Sequence, residues 1–128
     1  MTSEIGKIGW IDLTVTDAVT VRDFYKSVVG WRAEGVAMDG YDDYCMLPEE
    51  GGAVAGVCHA RGVNTGLPAQ WLLYITVANL ERSLAAVHAG GGEVVRPTKS
   101  LGGHGRFAVV KDPAGAVCAL FEKTGGAA

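Results

Sequence analysis

Asp12, His59 and His104 could each exchange a proton, and their surroundings suggest what for. Asp12 lies in "GWIDLTVTD" (9–17), where Ile11, Leu13 and Val15 alternate with Trp10, Asp12 and Thr14. A carboxylate in mid-strand is costly if dry and unpaired. It must therefore take a hydrogen bond from a neighbour such as Tyr74 or Thr14, or from water, or else serve a ligand as acceptor or general base. Trp10 can wall a site for a flat or apolar ligand, or simply fill space. Tyr74 can donate a hydrogen bond into such a site, or belong to the core. His59 and Arg61 read either as an anion-binding or acid–base pair or as a solvated strand end, and the second is expected. His104 and Arg106 lie in "SLGGHGRF", a loop that could close over a ligand or be merely exposed. It precedes a strand, so no helix N-terminus awaits a phosphate there. "YDDY" (41–44) offers two carboxylates that point to opposite faces of a strand, so they form no acid–base dyad and read as strand-edge solvation.

The cysteines offer little chemistry. Cys45, Cys58 and Cys118 are odd in number, widely spaced and lack a CxxC pair, which argues against a disulfide framework or a zinc site. They are expected to be reduced, small core residues. A net charge of −3 with no basic stripe argues against nucleic acid as a partner. "MTSEIGKIGW" lacks the apolar core of a signal peptide, and no apolar run approaches the length of a membrane span. Cytoplasmic residence is the expectation.

The elements that must position these residues come in two copies. "IGWIDLTV" has the period of a strand. Asp17 can cap a helix over "AVTVRDFYKSVV", whose Val21, Phe24, Tyr25, Val28 and Val29 form one expected inward face. Gly30 ends it. "WRAEGVA" and "YDDYCML" flank the hairpin signal Asp39-Gly40, and "AVAGVCHA" is a further strand. The order then repeats: "WLLYITV", a helix "NLERSLAAVHA" with Asn79 as cap, "EVVRP", then "GRFAVVK" and "AVCALFE" joined by the turn "DPAG". Val15 to Gly30 and Val77 to Gly91 span 15 and 14 residues, so the halves are an internal duplication offset by about 62 residues. One domain, 1–128, is expected. Its first module covers about 5–61, a linker 62–70, the second module about 71–123, and a frayed tail 124–128. Each helix covers one face of its own small sheet, so the other face must meet something else. In the first module that face carries Trp10, Asp12 and Thr14, and in the second Leu72, Tyr74 and Thr76.

Paired βαβββ modules, "D-x6-FY-x4-GW" after the first strand and "DPxG" before the last resemble the vicinal oxygen chelate superfamily. That family includes glyoxalase I, extradiol dioxygenases, epimerases and the bleomycin- and fosfomycin-resistance proteins. The resemblance covers roughly residues 5–123. It implies an α+β fold of two tandem βαβββ modules forming a half-barrel with a concave ligand groove, and a homodimer. It also implies where the family's metalloenzymes would carry their His and Glu ligands. Counted from the motifs, those positions fall on Trp10, Gly56, Leu72 and Ala119. None offers a donor, and a metal site needs three or four N, O or S atoms. Shifted registers would offer Asp12, Cys58 or His59 in the first module, and Tyr74 or Glu122 in the second.

The expectation is therefore a protein without metal or other cofactor. It would bind an aromatic or polar small molecule against Trp10, Asp12, Leu72, Tyr74 and Phe121, to sequester or carry it. The alternatives are a metal-free enzyme with Asp12 as base and His59 or His104 as acid, a lyase, isomerase or dioxygenase with a displaced metal site, and an interaction module whose concave face a partner fills.

Overall fold

A computed structural model describes residues 3–124, and the expected frayed tail, apart from Thr124, lies outside them. The fold class is α+β, with two βαβββ modules in tandem. The chain divides into two compact units, one from Trp10 to Trp71, the other joining the chain before Trp10 to the chain after Trp71.

The first module contains β1 (Ile8–Val15), α1 (Ala18–Val29), β2 (Arg32–Ala37), β3 (Asp42–Leu47) and β4 (Ala55–His59). Its strand order is β2-β3-β4-β1. Asp17 starts α1 by accepting from the Thr20 backbone N–H at 3.0 Å and the Thr20 hydroxyl at 2.7 Å. Gly30 stops it at φ 84°, where its N–H donates to the Lys26 carbonyl at 3.1 Å. The Asp39-Gly40 turn sets the β2–β3 register from Arg32↔Leu47 to Ala37↔Asp42. β4 then runs antiparallel to β3 and parallel to β1. Ala18, Met46, Ala55 and Val57 form the buried centre, against which Val15, Val21, Tyr25, Tyr44, Trp31 and Trp71 pack.

The expected inward face of α1 needs correction. Val21 and Tyr25 do face the core, but Phe24, Val28 and Val29 are 55%, 63% and 52% exposed. The space beneath the helix is filled by two indoles supplied from elsewhere. Trp31 and Trp71 lie 5.9 and 5.2 Å from the Tyr25 ring, and the Trp71 Nε1–H donates to the Tyr25 hydroxyl at 3.1 Å.

The second module contains β5 (Trp71–Thr76), α2 (Leu80–Ala89), β6 (Glu93–Ser100), β7 (Gly105–Lys111) and β8 (Val117–Lys123), with strand order β5-β8-β7-β6. Asn79 caps α2 by accepting from the Arg82 N–H at 2.9 Å. β6 runs well past the expected "EVVRP". Its pairing with β7 slips between Val94 and Arg96 and again between Arg96 and Lys99, around Pro97, which has no N–H to give the ladder. After α2 the chain passes so close to β7 that a Cβ on Gly92 would lie 2.5 Å from the Lys111 carbonyl. Asp112 fastens the "DPAG" turn by accepting from the N–H groups of Ala114 and Ala116. Ahead of β1, Gly6 donates to the Thr76 carbonyl at 2.7 Å and Thr76 donates back to Lys7 at 2.9 Å. The expected linker contains a short 3-10 turn, Gly62–Asn64. No helix of the described residues is long and apolar enough to cross a membrane.

Candidate functional site

Register decides which side chains share a face. Asp12 pairs with Gly56 and Thr14 with Cys58, so Trp10, Asp12, Thr14, Gly56 and Cys58 lie on the side of the first module's sheet away from α1. A Cβ placed on Gly56 would meet the Asp12 Cβ at 3.1 Å and the Trp10 indole at 3.4 and 3.5 Å. The indole lies against the glycine and uses the room its missing side chain leaves. Asp12 is half-buried, and its Oδ1 is cut off from solvent. Burial, then the charges of Asp12 and Asp43, push the Cys58 thiol far up. The surface is thus an aromatic wall beside a carboxylate acceptor and a thiol held neutral. It can stack and hydrogen-bond a ligand, and it offers no thiolate nucleophile.

In the second module Tyr74 pairs with Ala119, Thr76 with Phe121, and Phe107 with Phe121. Leu72, Tyr74, Thr76, Ala119, Phe121 and Phe107 therefore share one face. Leu72 and Ala119 are 1% and 0% exposed and serve as core. Tyr74 and Phe121 are half-buried, and the Tyr74 ring lies 5.6 Å from that of Phe107.

Arg106 and Glu122 occupy the opposite face, next to α2. Glu122 accepts from Arg106 Nε at 2.6 Å and from the Leu80 N–H at 3.2 Å, and Arg106 also reaches Glu81 at 3.4 Å. The Arg106 hydrogen bond, with that of Leu80, holds the Glu122 carboxyl below its usual range. Both side chains are committed to anchoring the start of α2. This removes Arg106 from any loop that closes over a ligand. His104 is exposed in a 3-10 turn, where its backbone bonds to Leu101 and Thr124.

The solvated strand end expected at His59 also needs correction. The side chains of His59 and Asp43 are only 16% and 13% exposed. Asp43 accepts the His59 backbone N–H at 2.8 Å and lies 3.4 Å from Nδ1. Nδ1 lies 3.0 Å from the Asp42 carbonyl, and a carbonyl can only accept, so the neutral ring carries its proton on Nδ1. Tyr41 and Tyr44 flank the imidazole at 5.5 and 6.2 Å, and the Arg61 guanidinium sits 4.2 Å over Tyr41. His59 follows Val57 on the α1 side of β4, whereas Asp12 is on the other side. Register thus puts the expected base and acid on opposite faces of the strands. Sequence reading misses this cluster because Asp43 and His59 are brought together only by the β3–β4 register, 16 residues apart.

The positions counted as metal ligands come together in part. Trp10 and Gly56 touch, and Leu72 and Ala119 share a face of the second module. None carries a donor, and among the described residues no group of three His, Cys, Asp or Glu is placed to hold a metal ion. The residues present do not fit the family's metal.

Residues 7–120 match the family model of the Glyoxalase/Bleomycin resistance protein/Dioxygenase superfamily, and the chain belongs to that superfamily. It is 33% identical over 127 residues to a "Putative glyoxylase CFP32" of Mycobacterium bovis, covering 91% of this chain and 46% of that protein. It is 31% identical over 131 residues to the "Anthracycline biosynthesis protein DnrV" of Streptomyces peucetius, covering 92% of this chain and 47% of that one. The chain thus spans about half the length of these relatives. Among solved structures, methylmalonyl-CoA epimerase from Mycobacterium tuberculosis superposes with a TM-score of 0.58 at 16% identity, over 97% of this chain and 92% of that one. A superfamily member from Vibrio splendidus gives 0.59 at 14% identity, over 89% and 97%. At these identities the likeness is one of fold.

Proposed function

We propose that this chain binds an aromatic or polar small molecule without a metal, sequestering or carrying it, and that it does so in the cytoplasm. The observation that carries the reading is Trp10 lying on Gly56. Where the family's metalloenzymes place two ligands, this chain has a flat aromatic surface and the glycine that makes room for it. Asp12 beside the indole supplies a hydrogen-bond acceptor, and Tyr74 and Phe121 are the half-buried aromatics of the corresponding face in the second module. A wall of this kind with few polar groups suits a ligand with one flat face and one donor edge.

The test is direct. Purified protein is assayed for bound transition metal, then titrated with flat aromatic probes while tryptophan fluorescence is followed. An anthracycline is the first probe, since one relative is named for anthracycline biosynthesis. The expectation is far less than one metal ion per chain, and quenching that Trp10→Ala removes. One tightly held metal per chain, with a reaction restored by Ni²⁺, Zn²⁺ or Fe²⁺, overturns the reading. A second reading is a metal-free enzyme in which Asp12, half-buried beside Trp10, acts as base. Asp12→Asn then abolishes turnover of a bound substrate while sparing its binding.

A further inference from the structure

The face that carries Trp10 and Asp12 is uneven in charge. The register that groups them with Thr14, Gly56 and Cys58 extends across β3 and β2. Gly56 pairs with Cys45, Cys45 with Glu34, and Asp43 with Val36, so Asp43 and Glu34 belong to this side too. The basic residues between Trp10 and Trp71 go elsewhere, with one exception. Arg22 and Lys26 are on α1, His59 is on the α1 side of β4, and Arg61 lies over the Tyr41 ring past the end of that strand. Among the described residues of this module, only Arg32 shares the face. It stands on β2, three strands and about 14 Å from β1. Its guanidinium donates to the Pro48 carbonyl at 3.3 Å, and Glu34 on the same side of β2 offsets its charge. Near the indole, the carboxylates of Asp12 and Asp43 therefore set the field. Cys58 feels both, since after burial their charges raise its thiol, Asp12 first.

The indole selects the same sign of charge. Its face is negative at the centre and attracts cations. Ring and carboxylate meet over Gly56, so one ligand can reach both. The two oxygens of Asp12 have several lone pairs and can take a further N–H. We propose that the small molecule of this face is a cation, a reading that rests on the binding role given above. A flat ring lies on Trp10, and its ammonium or amidinium group meets Asp12. An anion would meet Asp12 and Asp43, with Arg32 too distant to hold it.

Titration calorimetry with three probes of one ring shape tests this: 1-naphthylmethylammonium, 1-naphthylmethanol and 1-naphthylacetate. The ammonium is expected to bind about ten-fold tighter than the alcohol, and the acetate more weakly than either. Raising the salt from about 20 mM to about 500 mM narrows the gap. Asp12→Asn closes it, with an unchanged circular dichroism spectrum, and Trp10→Ala weakens all three. An acetate as tight as the ammonium, an ammonium advantage indifferent to salt, or one that survives Asp12→Asn would each overturn the proposal and leave the binding role standing. Failure of all three probes to bind the native protein overturns the binding role as well.

Discussion

Glu122 carries two bonds at once, one to Arg106 and one to the first N–H of α2, and both favour its ionised form. Its carboxyl is lowered in the folded protein. The stability it contributes is therefore present above its ordinary value of 4.5 and is lost as the pH falls through the lowered folded value. Glu122→Gln is expected to melt below the native protein at pH 7, with the gap closing as both are acidified below 4.5. Thermal melts across that range read this directly, and a gap independent of pH would refute the assignment. Cys58 gives a second check. Its thiol is pushed up by burial and two carboxylates, so under native conditions at pH 8 it is expected to resist iodoacetamide, which mass spectrometry of the intact protein follows. Much of the Asp12 surface was legible in the sequence, because period-two alternation puts Trp10, Asp12 and Thr14 on one side of a strand. The role of Arg106 was not, because Glu81 and Glu122 reach it from other elements. The setting of His59 was hidden for the same reason.

Helix ends were easier to read than helix faces. Asp17, Gly30 and Asn79 act locally, so α1 has the bounds its sequence predicts and α2 nearly so. Asn79→Ala is expected to cost about 1 kcal/mol in urea unfolding, because an orphan N–H of the first turn loses its acceptor. The inward face of α1 was misread for a physical reason. Its apolar residues cover more than one stripe, and Trp31 and Trp71 decide which stripe is covered. Pro97 shows the converse: a residue that argues against a strand is tolerated in β6 through two register slips.

At the scale of the molecule, duplication was the most legible feature, since it is written twice in caps, turns and strand period. What each face is for is less legible, because the family's motifs persist while its ligand positions do not. Gly56→His, an attempt to return one donor, is expected to destabilise the protein by about 1–3 kcal/mol through overpacking. Combined with Trp10→Ala, it should recover part of that loss, a coupling that chemical denaturation of the four proteins measures. This contact also constrains how the surface can change over time. A Cβ at 56 already presses on the Asp12 Cβ at 3.1 Å and touches the indole at 3.4 Å, so a longer side chain must displace a neighbour, and removing the indole first leaves a hole over a residue with nothing to fill it. Either first step passes through a worse-packed protein. The Trp10–Gly56 contact thus works as a ratchet: each residue protects the other from reversion, and a donor pair here is two coordinated mutations away.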